Sequence, residues 1–279
     1  MNKLSTEKRA QVIGCLVEGM SIRATVRITG VAKNTITKLL VDLGHACKEY
    51  QDKVFCDLPC QRIQCDEVWS FCYAKQKNVP SDLQGIFGYG DVWTWTAFCA
   101  DTKLVPSWLV ANRSADAASI FIDDLASRLS NRVQLTTDGH KVYLEAIEAA
   151  FGGDIDYAML IKLFGNEGSS DDKTDRKYSP AECTDIKIVP VSGRPDENHI
   201  STSYVERNNL TMRMSMRRFT RLTNAFSKKV ENLDAAVALH FMYYNFGRIH
   251  KTLRVTPAME AGVSDHVWSL EEIAGLLEK

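Results

Sequence analysis

Arg62-Ile63-Gln64-Cys65-Asp66-Glu67-Val68-Trp69-Ser70-Phe71 sets Ile63, Cys65, Glu67, Trp69 and Phe71 at every second position, the period of a β-strand with one face turned inward. Two carboxylates, Asp66 and Glu67, stand side by side in it, and alternation sends them to opposite faces. Downstream, extended patterns at 91–100 and 103–111 predict two more strands. Ser114 then offers an N-cap to a helix whose apolar stripe is Ala118, Phe121, Ile122 and Leu125. A strand at 132–137, a helix at 142–151 and a strand at 155–164 complete the unit, so three leading strands followed by alternating helix and strand predict an α/β fold. The polar, glycine-bearing stretch 165–180 reads as a long loop, 186–191 as a short extended piece, and helices are expected from about 201 and over about 230–244.

Upstream the period is helical. Val12, Ile13, Leu16 and Val17, then Ile22, Val26 and Ile28, then Ile36, Leu39 and Leu40 predict three short helices over 6–43. Ser21 is placed to cap the second, and Thr29-Gly30-Val31 supplies a glycine turn before the third. That third helix opens with Lys33, Asn34, Thr35, Thr37 and Lys38, short polar and basic side chains suited to base edges and phosphates, the pattern of a helix-turn-helix. A three-helix module that binds no DNA is the plainer alternative. The chain is expected to divide into a helix-turn-helix domain (1–53), an α/β domain (54–254) with an insertion at about 165–200, and a C-terminal tail (255–279).

Composition excludes disorder, since 45% of the 279 residues are hydrophobic and 25% charged. The longest apolar runs stop well short of the roughly 18 to 20 residues of a membrane helix, and no signal peptide is visible, so a cytoplasmic, nucleoid-associated location is expected. The formal charge of −1 conceals segments of +4 (1–53), −8 (54–200), +7 (201–254) and −4 (255–279). Two basic blocks around an acidic middle suggest a polyanion held at both ends, against the simpler reading of solvated helix faces. The eight scattered cysteines are expected to be reduced thiols. Cys56, Cys60 and Cys65 loosely suggest zinc, but no Cys-x2-Cys or His pair completes a tetrahedral set, and small buried side chains near a strand explain them better.

Three acidic residues sit where an α/β sheet exposes functional groups: Asp66 in the first strand, Asp138 just after the strand ending Thr136-Thr137, and Glu206 early in the basic helix. On an α-helix Arg213 and Arg217 fall within about 20° of Glu206, while Val205, Met212, Met216 and Phe219 form a separate apolar stripe toward the sheet. A carboxylate followed by arginines on one face can hold a metal at one end and phosphates along the rest. Arg207 joins Arg213 and Arg217 as a backbone contact.

Asp66-Glu67-Val68-Trp69-Ser70-Phe71, Thr137-Asp138-Gly139-His140-Lys141-Val142-Tyr143, Tyr204-Val205-Glu206-Arg207-Asn208-Asn209-Leu210 and Phe226-Ser227-Lys228-Lys229, in that order, resemble the bacterial insertion-sequence-one family of transposases. Arg23 to Val31 with Asn34-Thr35-Ile36 resembles the family's helix-turn-helix, and Tyr243-Tyr244-Asn245-Phe246 with Arg248, His250 and Thr256-Pro257-Ala258 resembles the C-terminal end common among such enzymes. The resemblance implies a ribonuclease-H-like catalytic core with an Asp, Asp, Glu triad at Asp66, Asp138 and Glu206, holding two Mg²⁺ ions with Mn²⁺ able to substitute. It selects Asp66 over Glu67, which is left to partner a buried group. It also implies cleavage at the terminal inverted repeats of an insertion element, strand transfer into target DNA, and a homo-oligomer in the active complex. The family's prototype carries a cysteine-rich zinc segment ahead of the helix-turn-helix, which is not carried over, and a shorter stretch between the second Asp and the Glu. A DNA-binding regulator without catalysis is the alternative from another class.

Overall fold

The period-two run becomes the inner strand of a six-stranded sheet. In the computed structural model, which describes residues 4–164, 183–220 and 224–278, the strands are β1 (Arg62–Cys72), β2 (Gly90–Cys99), β3 (Trp108–Ala111), β4 (Val133–Thr137), β5 (Ile155–Phe164) and β6 (Cys183–Ser192). Their order is β3-β2-β1-β4-β5-β6, with β1 antiparallel to β2, β2 to β3 and β5 to β6, and the pairs β1/β4 and β4/β5 parallel. The fold is therefore α/β with a mixed sheet flanked by helices, as the sequence implies.

β1 is covered on both faces, not one. Ile63, Cys65 and Glu67 are buried on one side and Gln64, Val68, Ser70 and Cys72 on the other, because α4 (Ala115–Arg128) and α5 (Val142–Phe151) pack below the sheet and α6 (Ser203–Ser215) above it. The Ser114 cap forms, its hydroxyl accepting from the Ala117 N–H at 3.2 Å. β3 begins at Trp108, later than expected, since Lys103 adopts a left-handed φ of 62° and turns the chain back before the regular ladder starts. Val205 and Met212 are buried on α6 as their spacing implies, while Met216 and Phe219, counted in the same stripe, lie past its end at Ser215 and reach the same core from the 3-10 turn that follows.

The first two helices are α1 (Thr6–Val17) and α2 (Ile22–Thr29). Ser21 caps α2 through the Ala24 N–H, and Gly30, at φ 71°, makes the left-handed turn that only glycine adopts without strain. Ile28, counted in the apolar stripe, instead faces solvent. The third helix, α3 (Lys33–Val54), is far longer than expected and absorbs most of the anticipated connector. Its apolar stripe continues through Leu43 and Cys47 to the buried Gln51, all covered by α7 (Val230–Met242). Gly44 permits the closest approach: a Cβ there would stand 2.5 Å from Ala235 Cα. Beyond α7 one π-turn, Tyr243–Gly247, buries Asn245, whose side chain binds the Val105 N–H and C=O and Gln51 Oε1. Ile13, Leu40 and Leu43 thus share one core with Val68 and Leu239. α8 (Pro257–Glu260) and α9 (Leu270–Gly275) close the chain, α9 against α1.

Residues 165–182, half of the expected insertion and all of the loop expected at 165–180, lie outside the described residues. The extended piece expected at 186–191 is part of β6, which pairs with β5 and is mostly exposed.

Candidate functional site

Asp66 lies near the middle of β1, opposite Thr96 of β2, and its neighbour Cys65 is in register with Thr137 at the end of β4. Parallel pairing therefore brings Asp138, the next residue of that chain, beside it. One carboxylate oxygen each of Asp66, Glu67 and Asp138 lies within 4.8 Å of the others. Asp66 Oδ1 accepts from the Glu67 N–H at 2.8 Å and Oδ2 from Asn209 Nδ2 at 2.7 Å. Asp138 Oδ1 accepts from the His140 N–H at 2.9 Å, a local turn that fixes the carboxylate at the strand end.

Burial above all, then the negative charge of Glu67, and further that of Asp138 and Glu206, push the Asp66 carboxyl up to about 7. Its surroundings are short of positive charge. Glu67, by contrast, is supplied: its side chain is 1% exposed, Tyr143 donates to Oε1 at 2.5 Å, and Arg113 reaches Oε2 at 2.9 Å. The same guanidinium stands 3.7 Å from Asp138. Burial still raises the Glu67 carboxyl, with Tyr143 and Arg113 pulling the other way. Glu67 thus partners the buried Tyr143 and the exposed Arg113, yet alternation does not keep it from Asp66: the long side chain brings its carboxylate to within 4.8 Å of Asp66 and Asp138.

Glu206 comes from above the sheet. Thr202, the residue before α6, makes no side-chain cap, and Gln64 of β1 takes over: its Oε1 accepts from the N–H groups of Tyr204 and Val205 at 2.9 and 3.0 Å. A buried glutamine on the strand that carries Asp66 therefore sets where α6 begins. Glu206 sits in the first turn and holds the Thr202 hydroxyl at 2.6 Å and the Lys162 ammonium of β5. It is outside the tight acidic trio, yet close enough to raise Asp66 electrostatically.

An all-oxygen donor set from Asp66 and Asp138, with an undercompensated carboxyl at its centre, fits a hard divalent cation. Glu67 already holds the Tyr143 hydroxyl and the Arg113 guanidinium, and Glu206 must exchange Lys162 to join. Cys60 and Cys65 are buried and Cys56 is exposed, with no His beside them in an acidic or metal-ligating group among the described residues.

Lys33, Asn34, Thr35 and Lys38 are exposed at the start of α3 and Thr37 is half-buried. Lys33, Asn34, Thr37, Lys38 and Arg217 line one groove; Thr35, Arg207 and Arg213 do not. The placement of Arg217 on the Glu206 face is wrong, because α6 ends at Ser215 and Arg217 opens a separate 3-10 turn, Arg217–Phe219. Arg213 remains on the helix. Residues that the sequence reading passes over are Gln64, Arg113, Lys162 and Asn209. Only Asn209 carried a local signal, standing three residues after Glu206 on the same helix.

No protein-family model matches the chain, and no curated protein matches it. Among the described residues no helix is long and apolar enough to cross a membrane.

Proposed function

We propose that the chain is an Asp-Asp-Glu transposase that binds the ends of an insertion element, cleaves DNA there and joins the freed strand to target DNA. The observation that carries this reading is the meeting of Asp66, inside β1, with Asp138, at the end of the parallel neighbour β4, under a helix whose first turn bears Glu206. The strand order β3-β2-β1-β4-β5, three antiparallel strands then two parallel ones, supports a ribonuclease-H-like core. The Ser21 cap, the Gly30 turn and the exposed Asn34 support a helix-turn-helix reader.

Asp66 and Asp138, with Glu206 once Lys162 is displaced, would hold Mg²⁺ or Mn²⁺. Such ions, when bound, supply charge stabilisation at the attacking and leaving oxygens. Asn209 orients Asp66, and Gln64 fixes the helix that delivers Glu206. In the first reaction water attacks phosphorus and the P–O3′ bond breaks, leaving a 3′-hydroxyl on the element. In the second that oxygen attacks a target phosphodiester, a target 3′-oxygen departs, and the strands are joined. Two ends must be joined in concert, which calls for a homo-oligomer.

The test is cleavage of end-containing DNA by Asp66→Asn, Asp138→Asn and Glu206→Gln. Each should lose several orders of magnitude in rate while remaining folded and able to bind DNA. A variant that cuts at the wild-type rate removes its residue from the triad.

One observation favours a second reading. Lys162 on Glu206 and Arg113 between Glu67 and Asp138 neutralise part of the carboxylate set from within the protein, as suits a non-catalytic DNA-binding regulator. Specific binding of end DNA by the wild type, with no cleavage in Mg²⁺ or Mn²⁺, would establish that alternative.

A further inference from the structure

Between the N-terminal helices and residues 216–218 and 224–229 lies a groove of about 1310 Å³. Its rim on one side is Arg217, Lys228 and Lys229, all exposed, and on the other Lys33 and Lys38. The one acidic side chain among its described lining residues, Asp42, is already held by Lys38 at 2.6 Å. Deeper in the wall are two groups whose hydrogen-bonding capacity the described residues leave largely unused. Arg218 Nη1 donates to Ser227 Oγ at 2.5 Å, and among the described residues no carboxylate pairs with the guanidinium. Burial pulls it down to about 10, the mark of a cation short of a counter-charge. His240 is buried, and its Nε2 has no hydrogen-bond partner among the described residues.

A desolvated guanidinium without an anion is costly, and a phosphate offers it two parallel charge-assisted hydrogen bonds. We propose that this groove seats a phosphate of the DNA backbone, with Arg218 as anchor, His240 as a second donor, and Arg217, Lys228 and Lys229 as outer contacts. The assignment rests on the reading of the chain as a DNA-binding transposase, but it concerns a site separate from the carboxylates. Lys33, Asn34, Thr37 and Lys38 line the same groove, so a duplex read by the start of α3 passes its backbone across it. Sequence-blind clamping and base reading are thereby combined on one surface.

The experiment uses the full chain and a short random-sequence duplex, with binding followed by fluorescence anisotropy over a range of salt. The Arg217→Gln, Lys228→Gln, Lys229→Gln triple variant should bind about tenfold more weakly at low salt, with a log–log salt slope reduced by up to about 0.9 per lost contact and an unchanged melting temperature. Arg218→Lys, which keeps the charge and loses the fork, should lose several-fold. The ring ¹⁵N resonances of His240 should move on adding duplex and stay in place with inorganic phosphate at the same phosphate concentration. Wild-type affinity and slope in the triple variant would overturn the proposal, as would an equal His240 response to phosphate alone, which marks a site for small anions. If the triple variant loses duplex binding while the wild type never cuts end DNA, the groove stands and the transposase reading falls.

Discussion

Asn209 Nδ2 donates to Asp66 Oδ2 at 2.7 Å, tying the helix that carries Glu206 to the strand that carries the first aspartate. The two residues are distant in sequence, and the bond leaves Asp66 Oδ1 on the Glu67 N–H, so both oxygens of the carboxylate are oriented. Groups that orient a metal-binding carboxylate from behind usually matter about 10- to 100-fold to metal affinity or activity. Asn209→Ala should therefore slow Mg²⁺-dependent cleavage by about that factor, whereas Asn209→Asp should be worse because it adds a negative charge beside Asp66. Both are measured as single-turnover rates on end-containing DNA, with circular dichroism as the folding control. A wild-type rate in Asn209→Ala would reduce this contact to packing.

Asp66 has a pH signature. Its folded carboxyl is raised to about 7 by burial and by Glu67, Asp138 and Glu206, above the ordinary value of 3.8. The folded state binds the proton more tightly than the unfolded one, so this group's contribution to stability is fully present below pH 3.8 and is lost as pH rises toward about 7. Asp66→Asn should accordingly raise the melting temperature at pH 8 and change it little at pH 4. Mg²⁺ should stabilise the wild type at pH 8 more than at pH 5.5, where protons compete for the carboxylate, and should do little for the Asn variant. Equal effects of the substitution at pH 4 and pH 8 would contradict a raised Asp66.

Lys162 pairs with Glu206, so on the proposed function it competes with the metal there. Both side chains are about a third or more exposed, so the pair contributes at most about 1 kcal/mol to stability. Lys162→Met should leave the melting temperature nearly unchanged and lower the Mg²⁺ concentration needed for half-maximal thermal stabilisation by several-fold. A higher Mg²⁺ requirement in that variant would mean that Lys162 assists the site instead of blocking it.

Much of the scaffold was legible because its signals are local. The strand from Ile63 to Phe71, the Ser21 and Ser114 caps and the helix 142–151 are all written in short-range period and capping chemistry, and each is found where expected, although the strand is buried on both faces where its alternation implied one. That Asp66 and Asp138 meet was legible in part, each lying on or just after a recognisable strand, whereas the choice of Asp66 over Glu67 came from the family resemblance, and the structure brings Glu67 to the same group. Arg113, Gln64 and Lys162 were not, since an arginine after one strand, a glutamine in another and a lysine near the end of a third acquire their roles only when the strand order brings them to Glu67, the start of α6 and Glu206. Arg217 shows the converse failure. Helical projection assumes an unbroken helix, and α6 stops at Ser215.

The length of α3 was missed because a second helix supplies the cover for its C-terminal half, and that cover can be tested. Glycine inside a helix normally costs about 1 kcal/mol relative to alanine, so in a helix with nothing packed against it Gly44→Ala should stabilise. Here the added methyl would meet Ala235 Cα and Cβ at 2.5 Å and its carbonyl oxygen at 2.7 Å, all on or next to the backbone of α7, which cannot swing aside as a long side chain would. Overpacking of this kind costs about 1 to 3 kcal/mol, enough to outweigh the propensity gain. Gly44→Ala should therefore lower the melting temperature of the full chain, and Ala235→Gly in the same protein should restore only part of the loss, since the Cα and carbonyl contacts remain. A higher melting temperature for Gly44→Ala would show that α3 does not lean on α7 in solution, and that the first three helices are held to the α/β part more loosely than the shared core of Leu43, Cys47 and Leu239 requires.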